Sequence, residues 1–225
     1  MGFASTQTTL SRTAAALLAA ALLASCSTLG TSSLQALKLA VAGKPDMDPT
    51  PGQVAATPYA QILASTTADN RVLMVLGNVD DGLQSWFSSR REIVYLRDGL
   101  LVGSHGLEQD AAGIRIEGDN PFARLARING VVPVQRRYDW MPGYRYGVAV
   151  EGRLQRTGIE TVSILGAQRQ LLHFRESLRG PGVAAENEYW ADPETGFIWK
   201  SRQLLAPGLS LEIVQLKPFV AGTAP

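Results

Sequence analysis

Tyr189-Trp190-Ala191-Asp192-Pro193-Glu194-Thr195-Gly196-Phe197-Ile198-Trp199-Lys200 sets two aromatic-rich runs on either side of a turn. Pro193 presets φ for the turn, and Gly196 accepts a positive φ at its close. The stretch predicts a β-hairpin with residues 187–191 and 197–205 as its arms. Outward from it the pattern repeats. Residues 209–216 and 171–178 are further apolar runs. Residues 145–154 alternate and are followed, across a short Thr157-Gly158 turn, by residues 159–165, which predicts a long hairpin. Residues 71–77, 92–97 and 100–103 are β-branched and aromatic, the last two separated by Asp98-Gly99, a hairpin signal. Inside the domain, helical spacing is confined to residues 121–129, with Phe122, Leu125, Ala126 and Ile128. The fold class is all-β with minor α. Sequential hairpins must cover their apolar face with a second sheet or by curling, so antiparallel strands are expected in a sandwich or a half-open barrel. Residues 52–225 are read as a single β domain.

The N-terminus has different grammar. Arg12 is followed by an apolar run of 12 residues, Thr13 to Ala24, and then by Ser25-Cys26. This is the three-part form of a secretory signal peptide, residues 1–25, and the run is shorter than the roughly 20 residues a spanning helix needs. Cys26 is the only cysteine, so it has no internal disulfide partner. Leu23-Ala24-Ser25-Cys26 resembles the lipobox of bacterial lipoproteins, which implies acylation of Cys26. Three acyl chains there exceed the two signals needed for stable anchoring. In such lipoproteins Asp after the cysteine retains the protein at the inner membrane; Ser27 stands here, which implies an outer-membrane anchor with the domain facing the periplasm. Residues 26–51 form the acylated N-terminus and tether, closing on Lys44-Pro45-Asp46-Met47-Asp48-Pro49-Thr50-Pro51, although Leu34, Leu37 and Val41 have helical spacing.

Cleavage before Cys26 leaves 200 residues and removes Arg12 alone, so 20 Lys+Arg face 20 Asp+Glu. A neutral chain without a basic block gives nucleic-acid binding no electrostatic support. The two histidines, His105 and His173, have no His or Cys at a ligand spacing, so neither a metal nor a cofactor is expected. There is no Gly-x-Ser-x-Gly elbow, and Gly113-Ile114-Arg115-Ile116-Glu117-Gly118 lacks the lysine and helix of a phosphate loop. Carboxylates available to a glycosidase are Asp80 with Asp81, Glu117 with Asp119, and Glu186 with Glu188. Turn and solvated-face roles account for all six, so the chain is read as non-enzymatic.

Tyr138, Trp140, Tyr144 and Tyr146 cluster around Met141-Pro142-Gly143, interleaved with Arg136, Arg137 and Arg145. Aromatic faces stack on sugar rings and arginine forks bind acidic groups, which makes Arg136, Arg137, Tyr138, Trp140, Tyr144 and Arg145 candidate glycan-binding residues. Aromatic cross-strand contacts around a Pro-Gly turn would read the same way. Tyr189, Trp190 and Trp199 are expected in the core.

Three segments lie in order behind the lipobox: Gln53-Val54-Ala55-Ala56-Thr57-Pro58-Tyr59-Ala60; then Gly82-Leu83-Gln84-Ser85-Trp86; then Ile93-Val94-Tyr95-Leu96-Arg97-Asp98-Gly99-Leu100-Leu101-Val102, with Gly106-Leu107 beyond. Together they resemble the YjbF/GfcB family of lipoproteins. The resemblance implies a β-rich protein anchored to the outer membrane, working in group 4 capsule and exopolysaccharide production, and no catalytic residues. Expected partners are the lipid membrane through the acyl chains, and polysaccharide or export-machinery proteins. Two other classes are open: a lipid or lipoprotein carrier with an apolar cavity in a curved sheet, and a polysaccharide-modifying enzyme.

Overall fold

The computed structural model describes residues 49–66, 71–141 and 143–220. The signal peptide, Cys26, Ser27 and the Leu34 to Val41 piece lie outside them.

The described chain opens with helix α1 (Pro51–Ala56). Thr50 caps it: its Oγ1 accepts from the Gln53 amide, and Gln53 Oε1 accepts from the Thr50 amide at 2.8 Å. Pro51, at the first helical position, needs no N–H partner. Twelve strands follow: β1 (Gln61–Ser65), β2 (Arg71–Asp80), β3 (Leu83–Ser88), β4 (Ile93–Arg97), β5 (Leu100–His105), β6 (Asp110–Glu117), β7 (Val132–Met141), β8 (Arg145–Ile164), β9 (Ala167–Gly180), β10 (Val183–Ala191), β11 (Ile198–Ala206) and β12 (Leu209–Lys217). A 3-10 helix, Pro121–Arg127, joins β6 to β7, kinked at Arg124. The helical spacing of residues 121–129 is thus realised in the tighter form, with Phe122 and Leu125 buried.

All twelve strands belong to one sheet in the order β5-β4-β3-β2-β1-β12-β11-β10-β9-β8-β7-β6. Each strand pairs antiparallel with its chain neighbour, and β1 pairs with β12, joining the two ends of the strand sequence. The one break lies between β5 and β6. Successive in the chain and at opposite ends of the ladder, they are brought face to face. The sheet is therefore nearly closed as a barrel and open along a single seam. Of the two architectures expected, this is the half-open barrel.

The hairpin at residues 192–197 forms as expected. Asp192 Oδ1 accepts from the Glu194 amide (3.1 Å), the Thr195 amide (2.9 Å) and Thr195 Oγ1 (2.9 Å), while Gly196 takes φ +77°. The long hairpin is different from the expectation. Thr157-Gly158 is not a turn: β8 runs through it, with a register shift between Arg156 and Gly158. Thr157 Oγ1 donates to the His173 carbonyl at 3.1 Å, so a bulge absorbs the Gly. The reversal comes at Leu165-Gly166, both at positive φ (51° and 80°), the pairing that a right-twisted hairpin prefers.

Alternation decides which side chains enter the barrel. On β7, Val134, Arg136, Tyr138 and Trp140 are buried; on β9, Leu172, Phe174, Glu176 and Leu178. Two apolar clusters fill the interior. One holds Trp86, Tyr138 and Trp140, the other Phe122, Phe174 and Tyr189. The end of the β8–β9 hairpin lies outside the barrel, where Val162, Ile164 and Leu165 border a cleft of about 440 Å³ with Leu63, Val214 and Leu216.

Candidate binding seam

Between the two clusters sits a buried polar network. Arg136 Nε and Nη2 donate to the two carboxylate oxygens of Glu176 at 2.7 and 2.9 Å, a bidentate pair with both side chains at 2% exposure or less. Arg136 Nη2 also donates to Tyr189 Oη (3.0 Å), and Tyr189 Oη donates to Glu176 Oε2 (2.9 Å). Asn187 Nδ2 donates to Glu176 Oε2 at 3.0 Å, and Asn187 Oδ1 accepts from the Leu204 amide at 2.7 Å, tying the network to β11. Burial alone would pull the Arg136 pKa down, but the Glu176 carboxylate outweighs it and raises it. Burial pushes the Tyr138 phenol up to about 12 and holds that of Tyr189 well above its ordinary value. A pair this well matched is held as an ion pair, and its charges are consumed internally.

Arg136 has a second neighbourhood. Its side chain also lines a cleft of about 410 Å³ running along the seam, with Leu100, Leu101 and Val102 of β5 on one bank and Ile114, Arg115 and Ile116 of β6 on the other. Arg97, Asp98 and Asn120 border the same cleft. At one end of the seam the strands touch: the Ala111 amide donates to Ser104 Oγ (3.1 Å), and Ser104 Oγ donates to Asp110 Oδ1 (2.8 Å). Asp110 also accepts from the Gly106 and Leu107 amides at 2.8 and 3.2 Å. Farther along, no main-chain hydrogen bond crosses the seam among the described residues. There Gln203, inward from β11, stands in for a strand. Its Oε1 accepts from the Leu101 amide and its Nε2 donates to the Gly99 carbonyl, both at 3.0 Å.

The six candidate glycan residues are divided by strand parity. Arg136, Tyr138 and Trp140 point inward, with Tyr138 and Trp140 stacked at 4.9 Å and Trp140 Nε1 donating to the Leu205 carbonyl at 2.8 Å. Arg137 points outward, pairing with Glu117 at 2.9 Å. Tyr144 is 74% exposed at φ +53°, and Arg145 covers the Trp140 ring at 5.1 Å. The stretch therefore presents no single face. Of the glycosidase carboxylates, Glu117 bonds Arg137 and Asp119 bonds Arg124, while Glu186 and Glu188 both face Arg175, Glu188 also bonding Arg202. His105 ends β5 exposed; buried His173 stacks on Trp190 at 4.8 Å between Glu160 and Glu188. Tyr189 and Trp190 are buried as expected, Trp190 against the His173 ring, while Trp199 is only half-buried, under Arg169 at 3.7 Å. The Gln203 cap was not among the sequence candidates. A polar residue at an inward parity, between apolar Leu204 and Leu205, is the signal that marks it.

The match to known proteins runs through this same architecture. The family model for group 4 capsule polysaccharide lipoprotein gfcB, YjbF, matches residues 34–216. The chain belongs to the YjbF family. The uncharacterized lipoprotein GfcB of Escherichia coli K12 is 23% identical over 200 residues, covering 87% of this chain and 94% of that protein. The crystal structure of the hypothetical lipoprotein YmcC from Escherichia coli K12 superposes with a TM-score of 0.69 at 23% identity, over 76% of this chain and 90% of that one. This YjbF-family member thus shares its fold with a lipoprotein relative, and the family match begins within the stretch read as tether, at residue 34.

Proposed function

We propose that this YjbF-family protein is held by acylated Cys26 at the outer membrane, faces the periplasm, and assists secretion or assembly of a capsular or extracellular polysaccharide by binding rather than by catalysis. Membership of a group 4 capsule lipoprotein family supports the pathway. The observation that carries the binding role is the open seam: a cleft of about 410 Å³, within the range of ordinary ligand sites, with apolar banks and Arg97, Arg115 and Arg136 in its lining. Glu117, Asp119, Glu186 and Glu188 are each engaged by arginine and none borders the seam cleft, which supports a non-enzymatic role, since glycoside hydrolysis needs two carboxyls facing one sugar. The carrier alternative fares worse, because Trp86, Tyr138, Tyr189 and Phe174 fill the space inside the sheet that a lipid would occupy.

The test is genetic. Deletion is expected to reduce surface polysaccharide. Wild-type protein restores it, and Cys26→Ser, released from the membrane, does not. Normal polysaccharide in the deletion strain removes the secretion role, and full rescue by Cys26→Ser removes the anchor from it.

A further inference from the structure

Across the barrel from the seam, where β1 pairs with β12, the outer face carries a second cleft. The end of the β8–β9 hairpin builds one wall of it. Beyond the bulge at Gly158 that end is held against the barrel. Glu160 Oε2 accepts from Trp190 Nε1 (2.7 Å), Glu160 Oε1 lies 2.7 Å from His173 Nδ1, and Arg169 covers the Trp199 ring at 3.7 Å. Val162, Ile164 and Leu165 of the hairpin then face Leu63, Val214 and Leu216 across about 440 Å³. All but Ile164 are only half-buried. The charged groups of the lining are already engaged: Lys200 pairs with Glu212 at 3.0 Å, and Arg71 has a partner too. What the cleft leaves unmet is apolar contact.

The chain itself supplies an occupant. Its described part enters at this cleft, where Pro49, Thr50 and Pro51 belong to the lining. Upstream stands Leu37-Lys38-Leu39-Ala40-Val41-Ala42-Gly43, in which Leu37, Ala40 and Val41 share one face at helical spacing. Gly43 and Pro45 give stop signals just beyond it. Eight residues separate Val41 from Pro49, so Val41 lies at most about 28 Å from the edge of the cleft. The family match, which runs from residue 34, includes the stretch. A connection this short gives the apolar face an effective concentration of about millimolar at the cleft, enough for a small helix-in-groove contact to close.

We propose that residues 37–42 dock in this cleft, Leu37 and Val41 packing between the β8–β9 hairpin and the outer face of β1 and β12. Joined to the acylated Cys26 proposed above, docking leaves eleven residues free between lipid and domain instead of twenty-three, and cuts the tether's reach from about 80 Å to about 40 Å. The domain is then held close to the membrane. The test uses the mature chain with Cys26→Ser, which leaves Lys38→Cys as the one thiol for a nitroxide, and with isotopically labelled methyl groups. Paramagnetic broadening is expected to remove most of the signal of Leu63, Val162, Ile164 and Val214, and to spare Ile114 and Ile116 at the seam. Leu37→Asp with Val41→Asp, which changes nothing in the barrel, is expected to release the segment and restore most of the lost signal. Weak broadening spread evenly over the surface, or broadening untouched by the double substitution, overturns the proposal. So does equal broadening in a mixture where the nitroxide is carried only by copies without isotope, which would put a second copy in the cleft. Cys26 is absent throughout, so docking fails or holds separately from acylation and secretion, which the genetic test addresses.

Discussion

Arg136 shows how a residue's role follows from its parity. Seen along the chain, it is one of several arginines among tyrosines; in the barrel it shares the inward set with Val134, Tyr138 and Trp140 and meets Glu176 forty residues on. The sequence held the alternation but not the partner, because nothing local says that β7 and β9 enclose the same interior. Breaking the pair leaves a buried charge, so Arg136→Ala or Glu176→Ala is expected to cost about 3–5 kcal/mol, measured by chemical denaturation, whereas replacing both with apolar residues costs much less. Gly152 makes room for this carboxylate: a Cβ there would lie 2.4 Å from Glu176 Oε1 and 3.1 Å from Val134 Cβ. Gly152→Ala is expected to destabilise by about 1–3 kcal/mol through overpacking. The buried phenols add a pH dependence. Tyr138 ionises near 12 when folded and near 10 when unfolded, so its contribution is complete below pH 10 and is lost as pH rises toward 12. Alkaline unfolding followed by tyrosinate absorbance is expected to show this decline, and Tyr138→Phe to flatten it.

At the scale of elements, the turns were legible where a side chain closes them locally. Asp192, Pro193 and Gly196 specify their reversal within six residues, and the Asp192 carboxyl is held below its usual range chiefly by the Thr195 amide. Asp192→Ala is expected to lower stability by about 1 kcal/mol, a shift of about 2–4 °C in the melting temperature. Because the carboxyl's pKa is depressed on folding, this difference exists above about pH 4 and fades as pH falls below it. Thr157-Gly158 misled for a physical reason. The same dipeptide makes a turn or a bulge, and the choice depends on His173, sixteen residues away, to which Thr157 bonds. Helix α1 was missed despite a local signal, the Thr50-Pro51-Gly52-Gln53 capping box, because prolines on either side of Thr50 read as a break.

At the scale of the molecule, the all-β class was legible and the closure was not. Strand patterns announce that a sheet must cover its face; they carry no information that β1 pairs with β12 or that β5 and β6 fail to pair. That failure leaves a cleft of about 410 Å³ along the seam. The seam's rims, Arg97 and Arg115, had no mark in the sequence beyond their charge, and Arg97 lay inside a motif read for its family likeness. The account joins this local opening to polysaccharide secretion. The measurement that tests the join most directly is surface polysaccharide in a deletion strain complemented with Arg97→Glu/Arg115→Glu protein, with its abundance and melting temperature checked against wild type. The account predicts polysaccharide as low as in the deletion, from a protein present and folded at wild-type levels; wild-type polysaccharide from that strain would contradict it.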